Sequence, residues 1–237
     1  MKRSAEKTGA RRALLLSCAV ALAASALSCA SSGYYRLNVQ YVPQKQGPGA
    51  DSTVQQLRIA AAQFNDERAV TDKSVIGRRV QSDNSEFKAV SQAVPATEAV
   101  GIAVKKAFQK NDFTVFGGTP DWDCTDRTIQ KSWGDLVVGG FIEELEVACA
   151  TGFLTANYET KVKLRVVFGD AAHKRILYTT TLDSAASYSG FYFSQERMER
   201  ELNAALSTAI EKMFENNKIE EALDQLNQPR VKNTTIQ

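Results

Sequence analysis

Apolar and polar residues alternate over residues 161–166, in the middle of the segment 158–168. Val162, Leu164, Val166 and Phe168 fall on one face, and Lys161, Lys163 and Arg165 fall on the other. A period of two residues is typical of a β-strand with one buried face and one solvated face. This segment therefore predicts a strand in an antiparallel sheet.

Similar runs on both sides of this segment extend the predicted sheet. Residues 136–149 and 175–184 predict its two neighbours, and the turn at residues 169–174 predicts a hairpin. Earlier in the chain, shorter apolar runs of strand length occur at residues 57–64, 75–80 and 113–116, with Gly77 as an expected kink.

Two segments have the period of a helix instead. Over residues 97–111, Val100, Val104 and Phe108 share one apolar stripe. Over residues 195–215 the same spacing persists for four turns, and Ser194 is the expected N-cap. Each helix must bury its apolar stripe, and one face of the sheet must be covered. We therefore expect an α+β fold, a mainly antiparallel mixed sheet with two amphipathic helices packed on one face.

The first 28 residues have the organisation of an export signal. A basic segment precedes the apolar run 13–27, which is too short for a typical membrane-spanning helix, and small residues follow it. Ala26-Leu27-Ser28-Cys29 resembles the lipobox of bacterial lipoproteins, which implies acylation of Cys29. The alternative is a plain secretory signal that is cleaved near Ala30.

These boundaries divide the chain into a signal peptide (1–28), a tether and linker (29–53), one α+β domain (54–226) and a disordered polar tail (227–237). Residues 1–28 hold five of the 29 Lys and Arg residues and one of the 27 Asp and Glu residues, which leaves 24 basic and 26 acidic side chains. A nearly neutral mature domain lacks the basic surface that nucleic-acid binding requires.

Two of the four cysteines remain once Cys18 leaves with the signal peptide and Cys29 carries lipid. In an oxidising periplasm, Cys124 and Cys149 are expected to form a disulfide, and the alternative is two independent buried thiols. One histidine, His173, cannot complete a tetrahedral zinc site with them.

No common catalytic motif occurs in the sequence. The single histidine, His173, lies in a predicted turn, so that Ser-His and Cys-His relays are not expected. The segment 121–126 lacks the glycine of a calcium loop, and Glu143, Glu144 and Glu146 are more typical of a solvated strand face than of a catalytic pair. We therefore expect no enzyme activity, no cofactor and no metal.

Five residues are candidates for contact with a partner. Asp66 and Arg68 follow the first buried strand, where they form either a local ion pair or a docking site. Tyr188, Phe191 and Tyr192 lie between the last strand and the last helix, where they either close the core or form an exposed interface.

The order of elements behind the lipobox resembles the YajG-type family of bacterial lipoproteins. Asp66-Glu67-Arg68, the segment 110–115, the strand opening at 135–138, Gly190 with Phe191, and the last helix carry the resemblance over residues 54–226. The longer stretch between Arg68 and Pro95 and the cysteine pair depart from it, so a sister family is the alternative. The resemblance implies a membrane-tethered accessory protein without established enzymatic activity.

These observations predict a non-enzymatic lipoprotein that is anchored by Cys29, most simply in the inner leaflet of the outer membrane, and faces the periplasm. Its expected partners are the membrane, through the lipid, and an envelope protein that belongs to an assembly or transport system. Exposed sheet edges are the expected docking surface. The alternatives are a carrier of lipids or small molecules, which needs a deep apolar pocket, and an enzyme of unrecognised type.

Overall fold

A computed structural model describes residues 33–44 and 57–215, together with positions 221, 223 and 226. The signal peptide, Cys29 and the tail 227–237 lie outside the described residues. The elements in chain order are β1 (Tyr34–Leu37), β2 (Arg58–Asp66), β3 (Val75–Val80), β4 (Glu86–Ser91), α1 (Ala96–Lys110), β5 (Thr114–Val115), β6 (Leu136–Thr151), β7 (Ala156–Asp170), β8 (Arg175–Gly190) and α2 (Gln195–Glu211).

Strand β6 is the centre of an eight-stranded sheet. One of its edges pairs with β7 along the whole strand, and β7 pairs with β8. The other edge is shared, because the first half of β6 pairs with β2, which adds β5, and the second half pairs with β3, which adds β4 and β1. The sheet therefore continues for two strands, β7 and β8, on one side of β6 and divides into two branches on the other.

The predicted α+β class is confirmed, and the sheet is mixed. Antiparallel pairings join the long strands β6, β7 and β8 and also β3 with β4. The pairings β1 with β4, β2 with β5, β2 with β6 and β3 with β6 are parallel and short. The predicted strands at residues 57–64, 75–80 and 136–184 and both helices are present within a few residues of the expected bounds.

Both helices pack on one face of the sheet. Val100, Val104 and Phe108 of α1 and Leu202 and Leu206 of α2 belong to one apolar cluster with alternate residues of the central strands. Ser194 caps α2, since its side chain accepts a hydrogen bond from the Arg197 N–H at 3.3 Å. The core therefore lies between the sheet and the two helices, as the apolar stripes predict.

The opposite face of the sheet is not entirely solvated, which differs from the expectation of one wet face. Trp122, Ile129 and Trp133, from the segment between β5 and β6, pack on Val137 and Val167 in a second apolar cluster. The period-two alternation had assigned only one buried face to β7, but residues 166–171 are buried on both sides. The second layer is a loop with two short 3-10 turns, which has no apolar period of its own.

The domain begins earlier than predicted. Residues 34–44, which were expected to belong to the tether and linker, form β1 and an extended strap. We use the name strap for residues 38–44, whose main chain follows α2 and bonds to its side chains, as at Asn38 N to Glu199 Oε2 (2.8 Å) and Val42 N to Ser207 Oγ (2.8 Å). Strand β4, which pairs with β1, was not predicted from the sequence, because polar residues precede it at 81–85.

Within the described residues, no helix has both the length and the apolar character needed to cross a membrane.

Candidate functional site

Several turns meet at one end of the sheet. Thr151 at the end of β6 pairs with Ala156 at the start of β7, and Ala156 pairs with Gly190 at the end of β8. The turn 152–155 and the loop 191–194 therefore stand side by side. Since Val80 pairs with Ala150, the turn between β3 and β4 lies at the same end.

We define the aromatic tip as the exposed apolar residues at this end. They are the five most exposed large apolar side chains among the described residues: Phe153 (95%), Phe191 (80%), Tyr192 (73%), Tyr34 (52%) and Leu154 (49%). The main chain of the turn is closed by the Gly152 N–H, which donates to Thr155 O at 2.8 Å, so that Phe153 and Leu154 lie at its apex. A group of apolar side chains on adjacent turns is a common feature of protein or membrane contact sites.

The predicted aromatic group is divided by the structure. Phe191 and Tyr192 point outward, whereas Tyr188 and Phe193 are partly buried and pack on the core. The Tyr188 ring lies 6.1 Å from the ring of Tyr158, and the guanidinium of Arg197 lies 3.9 Å from the centre of the Tyr188 ring. Tyr188 is therefore a support for the tip and not part of its exposed surface.

Phe193 joins the tip to the body of the domain. Its ring packs on Tyr35 at 4.9 Å and on Tyr158 at 6.5 Å, and the Arg79 guanidinium lies 4.2 Å from its centre. The Tyr158 hydroxyl accepts a hydrogen bond from the Ser194 N–H at 2.9 Å, which fixes the start of α2. These contacts hold Phe191 and Tyr192 on a short loop between two anchored positions.

The two apolar turns carry no charge. Residues 151–155 read Thr-Gly-Phe-Leu-Thr and residues 189–194 read Ser-Gly-Phe-Tyr-Phe-Ser. Two guanidiniums lie close to these turns: that of Arg79 over the ring of Phe193, and that of Arg197 over the ring of Tyr188. The neighbouring turn between β3 and β4 contributes the exposed Asp83. The chemistry of the tip is thus apolar and aromatic.

The second predicted group, Asp66 and Arg68, lies elsewhere and is almost buried. The side chain of Arg68 is 4% exposed, and its guanidinium contacts Asp66 Oδ2 at 2.6 Å, Val75 O at 2.7 Å and Lys73 O at 2.6 Å. Burial alone would raise the pKa of Asp66, but the hydrogen bonds and charge of Arg68 outweigh it and hold that pKa below its usual value. The pair ties the loop after β2 to the start of β3.

The predicted disulfide between Cys124 and Cys149 is absent, and both thiols are free. Cys149 belongs to the cluster under the helices, whereas Cys124 packs on the cluster of the opposite face. The Cys124 Sγ lies 3.8 Å from Asn65 Nδ2, which donates to Gly140 O at 3.3 Å. Cys124 thus lies near Gly140 of β6, and Cys149 is nine residues further along the same strand, which corresponds to about 30 Å. A disulfide needs its two Cα atoms within about 7 Å of each other.

Two surface clefts lie near the Asp66 and Arg68 pair. One, of about 510 Å³, lies between Lys73 and the start of α1, and the other, of about 470 Å³, is lined by Arg68, Glu143 and Lys161. Glu143 is paired with Lys163 at 3.0 Å and with Arg165 at 2.9 Å, and hydrogen bonds from these two lower its pKa. Neither cleft lies between the helices and the sheet.

His173 is exposed in the turn between β7 and β8, as predicted. Its Nδ1 lies 2.7 Å from the Oδ2 of the buried Asp170, and the Arg175 Nε donates to the same oxygen at 3.2 Å. These contacts close the turn. The segment around Asp123 is likewise internally bonded, since Asp123 Oδ1 accepts from the Thr125 N–H at 2.9 Å.

Sequence reasoning missed Tyr34, Phe153 and Leu154. A signal was present in the turn 152–155, because two large apolar residues stand where hairpins usually have Asn, Asp or Gly. The strap was missed too, although Glu199, Asn203 and Ser207 recur every four residues and form a polar line along one side of α2.

No protein-family model matches the chain, and no curated protein matches it. Among solved structures, it is similar to protein XCC0632 from Xanthomonas campestris (15% identity, 76% of this chain and 91% of that chain, TM-score 0.46). It is also similar to lipoprotein GNA1162 from Neisseria meningitidis (11% identity, 62% of this chain and 94% of that chain, TM-score 0.32). With TM-scores below 0.5, these likenesses assign no function to the chain.

Proposed function

We propose that the chain is a lipid-anchored lipoprotein of the bacterial envelope that faces the periplasm and binds another envelope protein without catalysing a reaction. The order of basic segment, apolar run and small residues before Cys29 supports the anchor. The inner leaflet of the outer membrane is the proposed location. The order of elements supports a distant relation to the YajG-type lipoproteins or to a sister family.

The observation that carries the binding role is the outer edge of β8. Strand β8 pairs with β7 on one side, and no described strand pairs with its other side. Proteins usually protect such edges with charged residues, proline or bulges, because an unpaired edge recruits further strands. Residues 184–190 read Ser-Ala-Ala-Ser-Tyr-Ser-Gly and contain no charged residue and no proline, and their pairing with β7 has no bulge.

A partner strand is therefore proposed to add along residues 184–190. Four of these seven residues are exposed. Strand addition draws its affinity from main-chain hydrogen bonds and its specificity from alternate side chains. The alternative of a carrier receives less support, since both clefts described above lie at the surface and the one that contains Glu143 and Lys161 is lined mainly by charged residues.

The test for the anchor is incorporation of labelled palmitate. We expect the label in the wild-type protein and its loss in Cys29→Ser, and label that persists in Cys29→Ser contradicts the proposal.

The test for the edge is a photoreactive side chain at Ser187 in intact cells. We expect a discrete adduct with one envelope protein, and its loss when Ala185→Lys places a charge on the edge. The matched control is Ala172→Lys, an exposed position at the opposite end of β7, which should leave the adduct unchanged. An adduct that survives Ala185→Lys contradicts docking along this edge.

A further inference from the structure

The tether that leads to Cys29 leaves the domain beside the aromatic tip. Strand β1 runs parallel to β4, and β4 runs antiparallel to β3, so that Tyr34 lies at the same end of the sheet as the turn 152–155. Tyr35 packs on Phe193 at 4.9 Å, and the Gln195 Nε2 donates to Arg36 O at 2.8 Å. The start of β1 is thus in direct contact with the loop that carries Phe191 and Tyr192.

The position of this exit is fixed by structure on both sides of β1. Four residues of β1 pair with β4, and the strap that follows is bonded to α2. Five residue steps separate Cys29 from Tyr34, and a fully extended chain of that length spans at most about 18 Å. An acyl chain on Cys29 therefore keeps Tyr34, at the edge of the aromatic tip, within about 18 Å of the bilayer surface.

The side chains of the tip suit a bilayer surface. Phe153, Leu154, Phe191 and Tyr192 are exposed on two uncharged turns, and Tyr34 stands at the exit of the tether. Aromatic side chains are enriched at the level of the lipid headgroups, where an apolar ring and a polar hydroxyl are both accommodated. Because the turns have no basic residue, we expect insertion of apolar surface and not attraction to anionic lipid.

We propose that the aromatic tip docks on the phospholipid bilayer, with Phe153, Leu154, Phe191 and Tyr192 entering the headgroup region. The inference rests on the proposed acylation of Cys29. Lipid attachment at one residue leaves the domain free to rotate, so a second contact beside the lipid sets the orientation of the domain at the bilayer. In that orientation the sheet stands away from the bilayer, and residues 184–190 of β8 lie in its membrane-proximal half.

The experiment uses the full-length protein, purified after processing and reconstituted into phosphatidylethanolamine and phosphatidylglycerol vesicles that contain a lipid with a quencher near the headgroup. An environment-sensitive fluorophore is attached to Thr155→Cys in the tip or to His173→Cys at the opposite end of β7. Mass spectrometry of the same samples reports whether Cys29 is acylated. The native thiols of Cys124 and Cys149 are checked for labelling in the protein without an introduced cysteine.

We expect the lipid quencher to reduce fluorescence at position 155 at least about twofold more than at position 173, because docked side chains enter the bilayer interface by about 5 to 10 Å. The double variant Phe153→Ser and Phe191→Ser changes two exposed side chains and should abolish this difference. Raising the salt concentration should leave it unchanged, since the tip is uncharged.

The outcomes separate the inference from the proposed function. Equal quenching at positions 155 and 173 in an acylated sample contradicts docking but leaves the anchor intact, and it is also the result expected if a protein covers the tip. Quenching that disappears with salt contradicts apolar insertion. A sample in which Cys29 carries no lipid contradicts the proposed anchor itself.

Discussion

The side chain of Asn203 in α2 holds the main chain of Gln40 in the strap. Its Oδ1 accepts a hydrogen bond from the Gln40 N–H at 2.9 Å, and its Nδ2 donates to Asn38 O at 2.9 Å. The Asn203 side chain is 3% exposed. The amide oxygen and nitrogen of Asn203 thus satisfy a main-chain N–H and a main-chain carbonyl of the strap, as a neighbouring strand would do in a sheet.

This contact belongs to a repeated arrangement. Four residues of a helix advance about 6.0 Å, and two residues of an extended chain advance about 6.6 Å, so the two periods nearly match. The N–H groups of alternate strap residues consequently meet side chains that recur every four positions in α2: Asn38 with Glu199, Gln40 with Asn203, Val42 with Ser207 and Gln44 with Glu211.

We expect Asn203→Ala to lower the free energy of unfolding by about 2 kcal/mol, because it leaves the Gln40 N–H and the Asn38 carbonyl without their partner. Urea denaturation followed by circular dichroism measures the change. Thr208→Ala on the exposed side of the same helix is the control and should change stability by less than about 0.5 kcal/mol. Equal effects of the two variants contradict a structural role for the strap.

Replacement of Gly77 tests the contact between β3 and β6. A Cβ atom at this position would lie 2.5 Å from Val147 O and 2.9 Å from Val147 Cγ1. Since both atoms belong to the paired strand, we expect Gly77→Ala to cost about 2 kcal/mol through displacement of β3. Gly118→Ala is the control, because nothing lies within 4 Å of its Cβ position. Thermal unfolding of both variants should separate them by several degrees, and identical transitions contradict the close approach.

The two thiols of the domain should be unreactive in the folded protein. Burial raises the pKa of the Cys124 thiol to about 12, and burial also raises that of Cys149. Since the thiolate is the reactive form, we expect neither to react with a disulfide reagent at pH 8, and both to react after denaturation in guanidinium. A peptide that links Cys124 to Cys149 in the non-reduced protein contradicts the structure.

The pair of Asp66 and Arg68 should make stability depend on pH. The folded pKa of Asp66 lies below its ordinary value of 3.8, so the carboxylate stabilises the fold above that pH, and the contribution is lost as the pH falls through the folded value. We expect Asp66→Asn to be less stable than wild type at pH 7 and the difference to shrink below about pH 4. Denaturation across this range measures it.

The exposed Asp126→Asn is the control for that series, because Asp126 lies outside the Asp66 and Arg68 pair, and it should change stability at pH 7 by less than about 0.5 kcal/mol. A difference between wild type and Asp66→Asn that stays constant down to the lowest pH contradicts the ionic role. Arg68→Ala should cost about 3 kcal/mol at pH 7, because it removes the nearer of the two counter-charges of a nearly buried carboxylate and leaves only Lys73 at 3.4 Å.

Much of the fold could be predicted from the sequence where burial follows one period. The alternation around Val162 and Leu164 and the stripes through Val104 and Leu206 gave the long strands and both helices within a few residues. Strand β4 was missed, because it is short and follows the polar residues 81–85, and only its pairing with β1 and β3 buries it. The cover formed by Trp122 and Trp133 has no period and was missed.

The candidate site, too, could be predicted from the sequence only in part. Phe191 and Tyr192 could be named from the sequence, but not whether they faced inward or outward. Phe153 lies in a hairpin turn that the sequence alone does not connect to residue 190. Its position beside them follows from the register of Ala156 with Gly190.

The sequence by itself determined the α+β class, the order of the main elements, and the order of basic segment, apolar run and Cys29 that predicts a lipid anchor. These features depend on local composition and on periods of two or 3.6 residues, which a linear chain carries without reference to its fold. The tertiary structure alone decided that Cys124 and Cys149 lie on opposite faces, that residues 38–44 belong to the domain, and that the aromatic tip lies beside Tyr34. Each of these depends on contacts between residues distant in the chain, which strand register and packing set.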